Sequence, residues 1–122
     1  MKLVTAIVRP EKLDEIIDAV ISNNGRGLTA TTVRGFGRQF GALASRTASA
    51  DAAADAPPLY SRPVLLSKVR LDIVVRDQDA EAMVDAIAKH ARTGGIGDGK
   101  IWVCDVDSVL RVRTGEQDRD AV

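Results

Sequence analysis

The length and the charge of the chain restrict its class. The chain has 122 residues, of which 17 are lysine or arginine and 17 are aspartate or glutamate, and this length is typical of one domain. Hydrophobic residues make up 45% of the sequence and charged residues 28%, which is a globular composition and not a disordered or fibrous one. The balanced charge excludes non-specific attraction to nucleic acid or to an anionic membrane as the main function. A bound anion therefore needs a local cluster of cations.

Scarce residue types exclude further classes. Cys104 and His90 are the only cysteine and histidine, too few for a disulfide or a cysteine zinc cluster within one chain. Aromatic residues amount to 3%, too few for a surface that stacks nucleic-acid bases. The apolar runs are shorter than the ~20 residues of a membrane-spanning helix, and the first residues resemble a strand rather than a secretory signal. The sequence predicts a soluble, cytoplasmic protein without a nucleic-acid partner and without insertion into a membrane.

An internal repeat is the strongest indication of the fold. Apolar runs ending at residues 7–9 and 74–76 are each followed by a charged turn and then by apolar residues at helical spacing. This spacing predicts two helices that each cover one face of a sheet. The apolar positions are Leu13, Ile16, Ile17 and Val20 in the first helix and Ala80, Met83, Val84, Ile87 and Ala91 in the second.

Three further runs, at residues 27–36, 100–104 and 109–113, are predicted to be strands. Two copies of strand, helix and strand are typical of a ferredoxin-like α+β fold, with an antiparallel sheet and both helices on one face. The other sheet face would be covered by other subunits or, if its polar residues suffice, by water.

A long alanine-rich connection separates the two halves of the chain, at residues 37–66. Its composition indicates either a flexible low-complexity insertion or an arm that becomes ordered on meeting a ligand or partner. The sequence therefore predicts one domain over residues 1–122 that contains this insertion.

Residues 92–100 form a glycine-rich segment. Four of the six positions from 94 to 99 are glycine, and Lys100 comes directly after them. Such a backbone can direct several N–H groups into one concavity that holds a phosphate, although a simple tight turn explains it equally well. Gly94 to Lys100 also matches the spacing of a Walker loop. We reject that interpretation, because Ile101 replaces the serine or threonine that holds magnesium and the segment leads from helix to strand.

Cations accompany the glycine-bearing segments. Arg111 and Arg113 are two residues apart in a predicted strand, so both would project from one face, where two guanidinium groups suit phosphate. Such a pair is also common on solvated or salt-bridged surfaces. Arg38 follows a pair of glycines, and Lys68 lies where the chain returns to the sheet. This combination in a neutral chain favours a polyphosphate ligand.

Three motifs and the first ten residues resemble the PII nitrogen-regulatory signal-transduction proteins. The motifs are Gly35-Phe36-Gly37-Arg38-Gln39, Arg92-Thr93-Gly94 followed by Ile96-Gly97-Asp98-Gly99-Lys100-Ile101, and Arg111-Val112-Arg113-Thr114-Gly115-Glu116. The resemblance covers nearly the whole chain outside residues 40–66. It implies a homotrimer of ferredoxin-like subunits that binds ATP or ADP in the clefts between subunits and, with Mg-ATP, also binds 2-oxoglutarate.

The resemblance further implies a regulator and not an enzyme. Residues 37–66 would be the T-loop, which engages a transporter or metabolic enzyme of nitrogen metabolism, such as an ammonium transporter. An alternative is a divergent PII-like adenine-nucleotide sensor that serves another pathway, such as bicarbonate uptake, without a 2-oxoglutarate response. An enzyme is disfavoured because His90, the one neutral-pH base, lies at the end of the second predicted helix, where a cation favours the helix dipole.

Individual roles follow from the same resemblance. Gln39 would help to hold Mg²⁺ and 2-oxoglutarate, and Lys68 would pair with a 2-oxoglutarate carboxylate. Arg111 and Arg113 would reach into the nucleotide site from the adjacent subunit. The nucleotide site would comprise Ile7, Thr29, Gly35, Gly37, Arg38, Gln39, Asp72, Val74, Gly97, Asp98, Gly99, Lys100, Arg111 and Arg113.

The predicted T-loop departs from the pattern of the family. It is expected to be about ten residues longer than usual, a change that costs little loop-closure entropy. Tyr60 is its one tyrosine, and it lacks the residues that surround the modified tyrosine of some family members. The target of the loop and any modification of Tyr60 are therefore left open by the sequence.

Overall fold

The computed structural model describes residues 1–37 and 65–122, and these residues form two α-helices and four strands. Most of the predicted T-loop, including Arg38, Gln39 and Tyr60, lies outside the described residues. The elements are β1 (Lys2–Val8), α1 (Leu13–Ser22), β2 (Thr29–Gly35), β3 (Leu66–Val75), α2 (Ala80–Ala91) and β4 (Lys100–Asp105).

The four strands form one antiparallel sheet in the order β2-β3-β1-β4. In its centre, Thr5 of β1 lies opposite Asp72 of β3 on one side and Trp102 of β4 on the other. The sheet and the two helices make the α+β ferredoxin-like arrangement, so the predicted fold class is confirmed. Because neighbouring strands run in opposite directions, the ends of β1 and β2 lie beside the starts of β3 and β4.

The hydrophobic core lies between one face of the sheet and the two helices. Alternate residues of β1 and β3 are fully buried, as the two-residue period of a strand requires. They pack against the apolar stripes of α1 and α2, and the predicted placement of both helices on one face is confirmed. The core residues are Val4, Ala6, Val8, Ile16, Val20, Val69, Leu71, Ile73, Val75, Ala80, Met83, Ile87 and Ala91.

The end of α1 shows why the chain turns back towards β2. Asn24 adopts a positive φ of 61°, and the Gly25 amide donates to the carbonyl oxygen of Val20 at 2.9 Å. This is the Schellman arrangement, in which the left-handed residue is usually glycine or asparagine. A Cβ on Gly25 would lie 2.3 Å from Cγ1 of Val20, so the helix ends against a residue that has no side chain.

The prediction of a strand at residues 109–113 is wrong. The segment forms one isolated bridge pair, between Leu110 and Gln117, and then reverses direction. The Arg111 amide donates to the carbonyl oxygen of Glu116 at 2.9 Å, and the Gly115 amide donates to that of Arg111 at 2.8 Å. Because the backbone groups around Arg111 pair within this turn, they do not join the sheet. Since no strand forms here, Arg111 and Arg113 do not share a strand face.

Candidate functional site

A cavity of about 770 Å³ opens at the sheet end where β1 and β2 finish and β3 and β4 begin. Its described lining combines backbone from two glycine-bearing segments with lysine and apolar side chains. These residues are Ile7, Gly35, Phe36, Gly37, Lys68, Gly94, Gly95, Ile96, Gly97, Gly99, Lys100 and Trp102.

The loop between α2 and β4, residues 92–99, needs its glycines for conformation and for space. Gly94, Gly97 and Gly99 have φ values of 85°, 104° and 97°, a region that other residues enter at a cost. At Gly99, a Cβ would lie 1.6 Å from the carbonyl oxygen of Ile7. The loop backbone therefore lies directly against the end of β1. We call residues 92–99 the glycine loop.

The carboxylate of Asp98 organises the first half of the glycine loop. Its Oδ2 atom accepts hydrogen bonds of 2.8 Å from the backbone amides of Thr93 and Gly94, and its Oδ1 atom accepts one from the Thr93 hydroxyl. These bonds favour the ionised form. They hold the pKa of Asp98 well below its usual value, with the Thr93 hydroxyl as the largest cause and the Thr93 amide next. Asp98 is thus an anion that the loop itself binds.

Arg9, the residue after β1, joins the same loop from the side. Its Nε donates to Oδ1 of Asp98 at 3.0 Å, and its Nη2 donates to the carbonyl oxygen of Ile96 at 2.7 Å. A longer ion pair of 3.8 Å connects Nη1 with Glu11. The side chain is 21% exposed and that of Asp98 is 24% exposed, so both charges are partly removed from water.

Lys68 of β3 is a lysine held inside the cavity wall. It is 9% exposed, and its Nζ donates to the carbonyl oxygen of Gly97 at 2.7 Å. Burial lowers the pKa of Lys68, and the charge of Arg9 lowers it further, although Glu11 and Asp98 act in the opposite direction. Lys100, at the start of β4, lines the same cavity and is exposed. The described part of the cavity thus brings two ammonium groups to one glycine-rich backbone.

The structure brings seven of the predicted site residues to the cavity. Asp98 instead lies behind the loop, bound to Arg9 and Thr93. Asp72 accepts hydrogen bonds from Thr5 at 2.7 Å and from Arg70 at 2.8 Å, and these contacts lower its pKa, that with Arg70 being the larger cause. The residues that line the cavity are Ile7, Gly35, Gly37, Lys68, Gly97, Gly99 and Lys100, and those that do not are Thr29, Asp72, Val74, Asp98, Arg111 and Arg113.

Thr29, Asp72 and Val74 nevertheless share a sheet face with the cavity. Thr29 lies opposite Asp72, and Asp72 lies opposite Thr5. Since side chains alternate along strands, these residues project from the same face as Ile7 and Lys68, which is the face turned away from the helices. The three residues therefore lie on the open side of the sheet beyond the cavity, and Val74 lines a separate, smaller cavity towards the opposite end.

Sequence reasoning missed Arg9, Phe36, Ile96 and Trp102 as residues of the site. The glycine content of residues 92–99 indicates that residues in contact with this loop are candidates for the site. No local pattern, however, connects Arg9 with Asp98, which lies 89 positions later. That contact depends on the pairing of β1 with β4. Among the described residues, no group of three or more histidine, cysteine, aspartate or glutamate side chains could hold a metal ion.

Comparison with known proteins agrees with the fold. A family model described as nitrogen regulatory protein P-II matches residues 1–116. Nitrogen regulatory protein P-II 2 of Methanothermobacter thermautotrophicus is 44% identical over 122 residues, covering 100% of this chain and 97% of its own. Nitrogen regulatory protein P-II of Synechocystis sp. is 43% identical, and nitrogen regulatory protein GlnK of Escherichia coli is 42% identical, both with 100% of each chain covered.

A solved structure of a plant protein supports the same assignment. The crystal structure of Arabidopsis thaliana PII bound to citrate superposes with a TM-score of 0.74 at 34% identity, covering 99% of this chain and 91% of that one. The fold and the cavity define an α+β ferredoxin-like protein with a cavity lined by glycine backbone and two lysines. The chain belongs to the nitrogen regulatory protein P-II family, and the predicted resemblance is confirmed.

Membership of the family settles the general class of function. P-II proteins are signalling regulators and not enzymes, so the prediction that the chain is not an enzyme is confirmed. Proteins of this family bind small-molecule effectors and act through partner proteins. In the part of the chain that the structure describes, no helix is both long enough and apolar enough to cross a bilayer.

Proposed function

We propose that this protein is a P-II sensor that binds ATP or ADP in clefts between the subunits of a homotrimer. With Mg-ATP it also binds 2-oxoglutarate, and it regulates a transporter or metabolic enzyme of nitrogen metabolism through residues 37–66. The observation that carries the proposal is the cavity in which the glycine loop faces Lys68 and Lys100.

The nucleotide phosphates fit the glycine loop end of this cavity. Gly97 and Gly99 adopt conformations that let consecutive backbone N–H groups converge on an anion. Lys100 follows them directly and supplies an exposed positive charge. Gly35, the last residue of β2, and Gly37 line the same cavity.

The base and the ribose would occupy the open face of the sheet. Ile7, Thr29 and Val74 offer apolar and hydroxyl contacts to an adenine ring. Asp72 would accept a ribose hydroxyl hydrogen bond with its ionised carboxylate, which Arg70 and Thr5 hold in place. In this arrangement the binding of the adenosine part of the ligand would not depend on the conformation of the glycine loop.

Lys68 and Gln39 would bind 2-oxoglutarate with Mg²⁺. The buried ammonium group of Lys68 donates a hydrogen bond to a neutral group, the carbonyl oxygen of Gly97. A carboxylate next to it would compensate a charge that burial disfavours. Gln39 would help to hold the Mg²⁺ ion that accompanies the ATP phosphates.

The trimer would complete the site. Arg111 and Arg113 belong to an exposed turn that does not line the cavity of its own subunit. Val112 between them is 93% exposed, which is costly for an apolar side chain and favours cover by another subunit. The two arginines would then contact the phosphates of the adjacent subunit.

The output of the sensor would depend on residues 37–66. An ammonium transporter is the proposed target, and Tyr60 is the one tyrosine available for modification in that segment. Because effectors bind at the base of this segment, beside Gly37 and Lys68, exchange of ATP for ADP would alter the surface that meets the target.

Titration with ATP and ADP tests the nucleotide site. Trp102 is the one tryptophan of the chain and lines the cavity, so its fluorescence should change saturably with either nucleotide. Lys100→Met should weaken ATP binding about tenfold, the value of one charge-assisted hydrogen bond. Lys89→Met, a charge change on the exposed side of α2, is the matched control. Absence of binding to the wild-type protein by both fluorescence and calorimetry would refute the proposal.

A further inference from the structure

We propose that Arg9 is a positioning residue that acts together with Asp98 to hold the glycine loop in the shape that receives phosphate. The inference rests on the proposed function, because it names the groups that fix the geometry of that same site. Arg9 acts from behind the loop, through Asp98 and the Ile96 carbonyl, and not by contact with the ligand.

The glycine loop cannot keep its shape by backbone preference alone. Glycine loses more conformational freedom on ordering than any other residue, and the loop has glycine at positions 94, 95, 97 and 99. An ordered concavity built from such a sequence therefore requires side chains that bind its backbone. Four side chains do so: one from the residue after β1, one from β3 and two from the loop itself.

Arg9 fixes two points of the loop with one planar group. Its Nε and Nη2 atoms donate to the Asp98 carboxylate at 3.0 Å and to the Ile96 carbonyl oxygen at 2.7 Å. A guanidinium group presents these donors in a rigid fork, which an ammonium group cannot reproduce. Since Arg9 directly follows β1, its hydrogen bonds fix the position of the loop relative to an inner strand of the sheet.

The hydrogen bonds also determine which loop groups can meet a ligand. The amides of Thr93 and Gly94 donate to Asp98, and that of Gly95 donates to the Thr93 hydroxyl at 3.2 Å. The carbonyl oxygens of Ile96 and Gly97 face Arg9 and Lys68. A phosphate in the cavity would therefore meet backbone amides beyond Gly95, while the carbonyl oxygens that would repel it are held by cations.

A positioning role and a purely electrostatic role of Asp98 predict opposite effects of its neutralisation on the binding of an anionic ligand. If Asp98 acted only through its charge, its neutralisation would strengthen binding of an anionic ligand. If it holds the loop together with Arg9, Asp98→Asn should weaken binding, because an amide nitrogen replaces one acceptor of this network. Arg9→Lys keeps the positive charge and removes the fork, so it should also weaken binding.

The experiment compares Arg9→Lys and Asp98→Asn with Arg76→Lys as the matched control. Arg76 directly follows β3 as Arg9 follows β1, and it donates to the carbonyl oxygen of Arg119 at 3.1 Å at the opposite end of the sheet. ATP and adenosine are titrated against each variant by Trp102 fluorescence. Amide hydrogen exchange at residues 93–99 is measured in the ligand-free proteins.

Both site variants should bind ATP about tenfold more weakly or worse, with adenosine binding changed by less than about twofold. Their loop amides should exchange faster, while those of β1 and α2 keep the wild-type rates. The double variant should lose no more than the worse single variant, since both residues act in one network. Arg76→Lys should change none of these quantities.

Unchanged or tighter ATP binding by Asp98→Asn, or wild-type exchange of the loop amides in both variants, would overturn the proposal. The exchange measurement needs no nucleotide, so it decides the role of Arg9 even if the wild-type protein fails to bind ATP and the proposed function falls. If Asp98→Asn does not fold, Thr93→Ala removes one donor to the same carboxylate, and unchanged loop exchange in that variant would equally overturn the proposal.

Discussion

Lys68 and Gly97, which are 29 residues apart, are joined by a hydrogen bond of 2.7 Å from the ammonium nitrogen to the carbonyl oxygen. The bond connects β3 to the glycine loop across the cavity. A carbonyl oxygen is a neutral partner, and the Lys68 side chain is buried, so the charge is held at an energetic cost. Residues that keep such a charge in a cavity wall are candidates for ligand binding.

Removal of the Lys68 charge should reduce the affinity for 2-oxoglutarate much more than the affinity for ATP. Lys68→Met should lower the affinity for 2-oxoglutarate, measured by calorimetry with saturating Mg-ATP, by at least about a hundredfold, because a buried carboxylate would lose its ionic partner. ATP affinity should fall by less than about tenfold. Lys89→Met should leave both affinities unchanged. Equal loss of both ligands would show that Lys68 supports the loop and does not recognise 2-oxoglutarate.

The pH dependence of stability should report the burial of Lys68. Its pKa is lowered in the folded protein, so the unfolded chain binds more protons in the range below 10.5, and stability relative to Lys68→Met should rise as pH increases. Urea unfolding of both proteins at pH 7, 8, 9 and 10 measures this difference. The advantage of the methionine variant should be largest at the lowest of these pH values and should shrink towards the highest. A difference that stays constant across the series would contradict the shifted pKa.

Gly99 should be the least replaceable glycine of the loop. Gly99→Ala places a Cβ against the Ile7 carbonyl oxygen, where 1.6 Å is available, and keeps a φ of 97°. Strain and displacement together should cost about 3 kcal/mol or more in the free energy of unfolding.

Gly27→Ala provides the control for this substitution. Nothing lies within 4 Å of a Cβ at Gly27, and its φ lies outside the strained range. Chemical denaturation should show anything from no change to about 1 kcal/mol of stabilisation, because alanine restricts the unfolded chain. Similar losses for Gly27→Ala and Gly99→Ala would refute the packing argument.

The contribution of Arg113 from an adjacent subunit can be tested by complementation. Arg113→Gln and Lys100→Met should each weaken ATP binding about tenfold. After the two variants are unfolded and refolded together, mixed trimers would contain clefts with Lys100 from one subunit and Arg113 from its neighbour. A fraction of sites should then regain wild-type affinity. Mixed samples in which every site stays weak would place both residues in the same subunit.

The sequence predicts the parts of this protein that depend on local periodicity. Ile16 and Met83 lie on apolar stripes at helical spacing, and both are fully buried. The four glycines at positions 94–99 predict a loop with an unusual backbone conformation. The class of fold followed from the repeat of strand, helix and strand.

The errors and omissions concern contacts that a local pattern does not contain. The sequence Val-Leu-Arg-Val-Arg at residues 109–113 resembles a strand, but Arg111 pairs with Glu116 across a turn instead. The contact of Arg9 with Asp98 depends on the register of β1 against β4. The roles of Gln39 and Tyr60 stay predictions, since both lie outside the described residues.

Calorimetric titration with 2-oxoglutarate, once with Mg-ATP and once with Mg-ADP, tests the central claim most directly. The proposed sensor should bind 2-oxoglutarate with Mg-ATP and should show no binding with Mg-ADP. Binding of both nucleotides without any response to 2-oxoglutarate would contradict the proposed second effector and leave an adenine-nucleotide sensor of another pathway. Failure to bind either nucleotide would contradict the phosphate site itself.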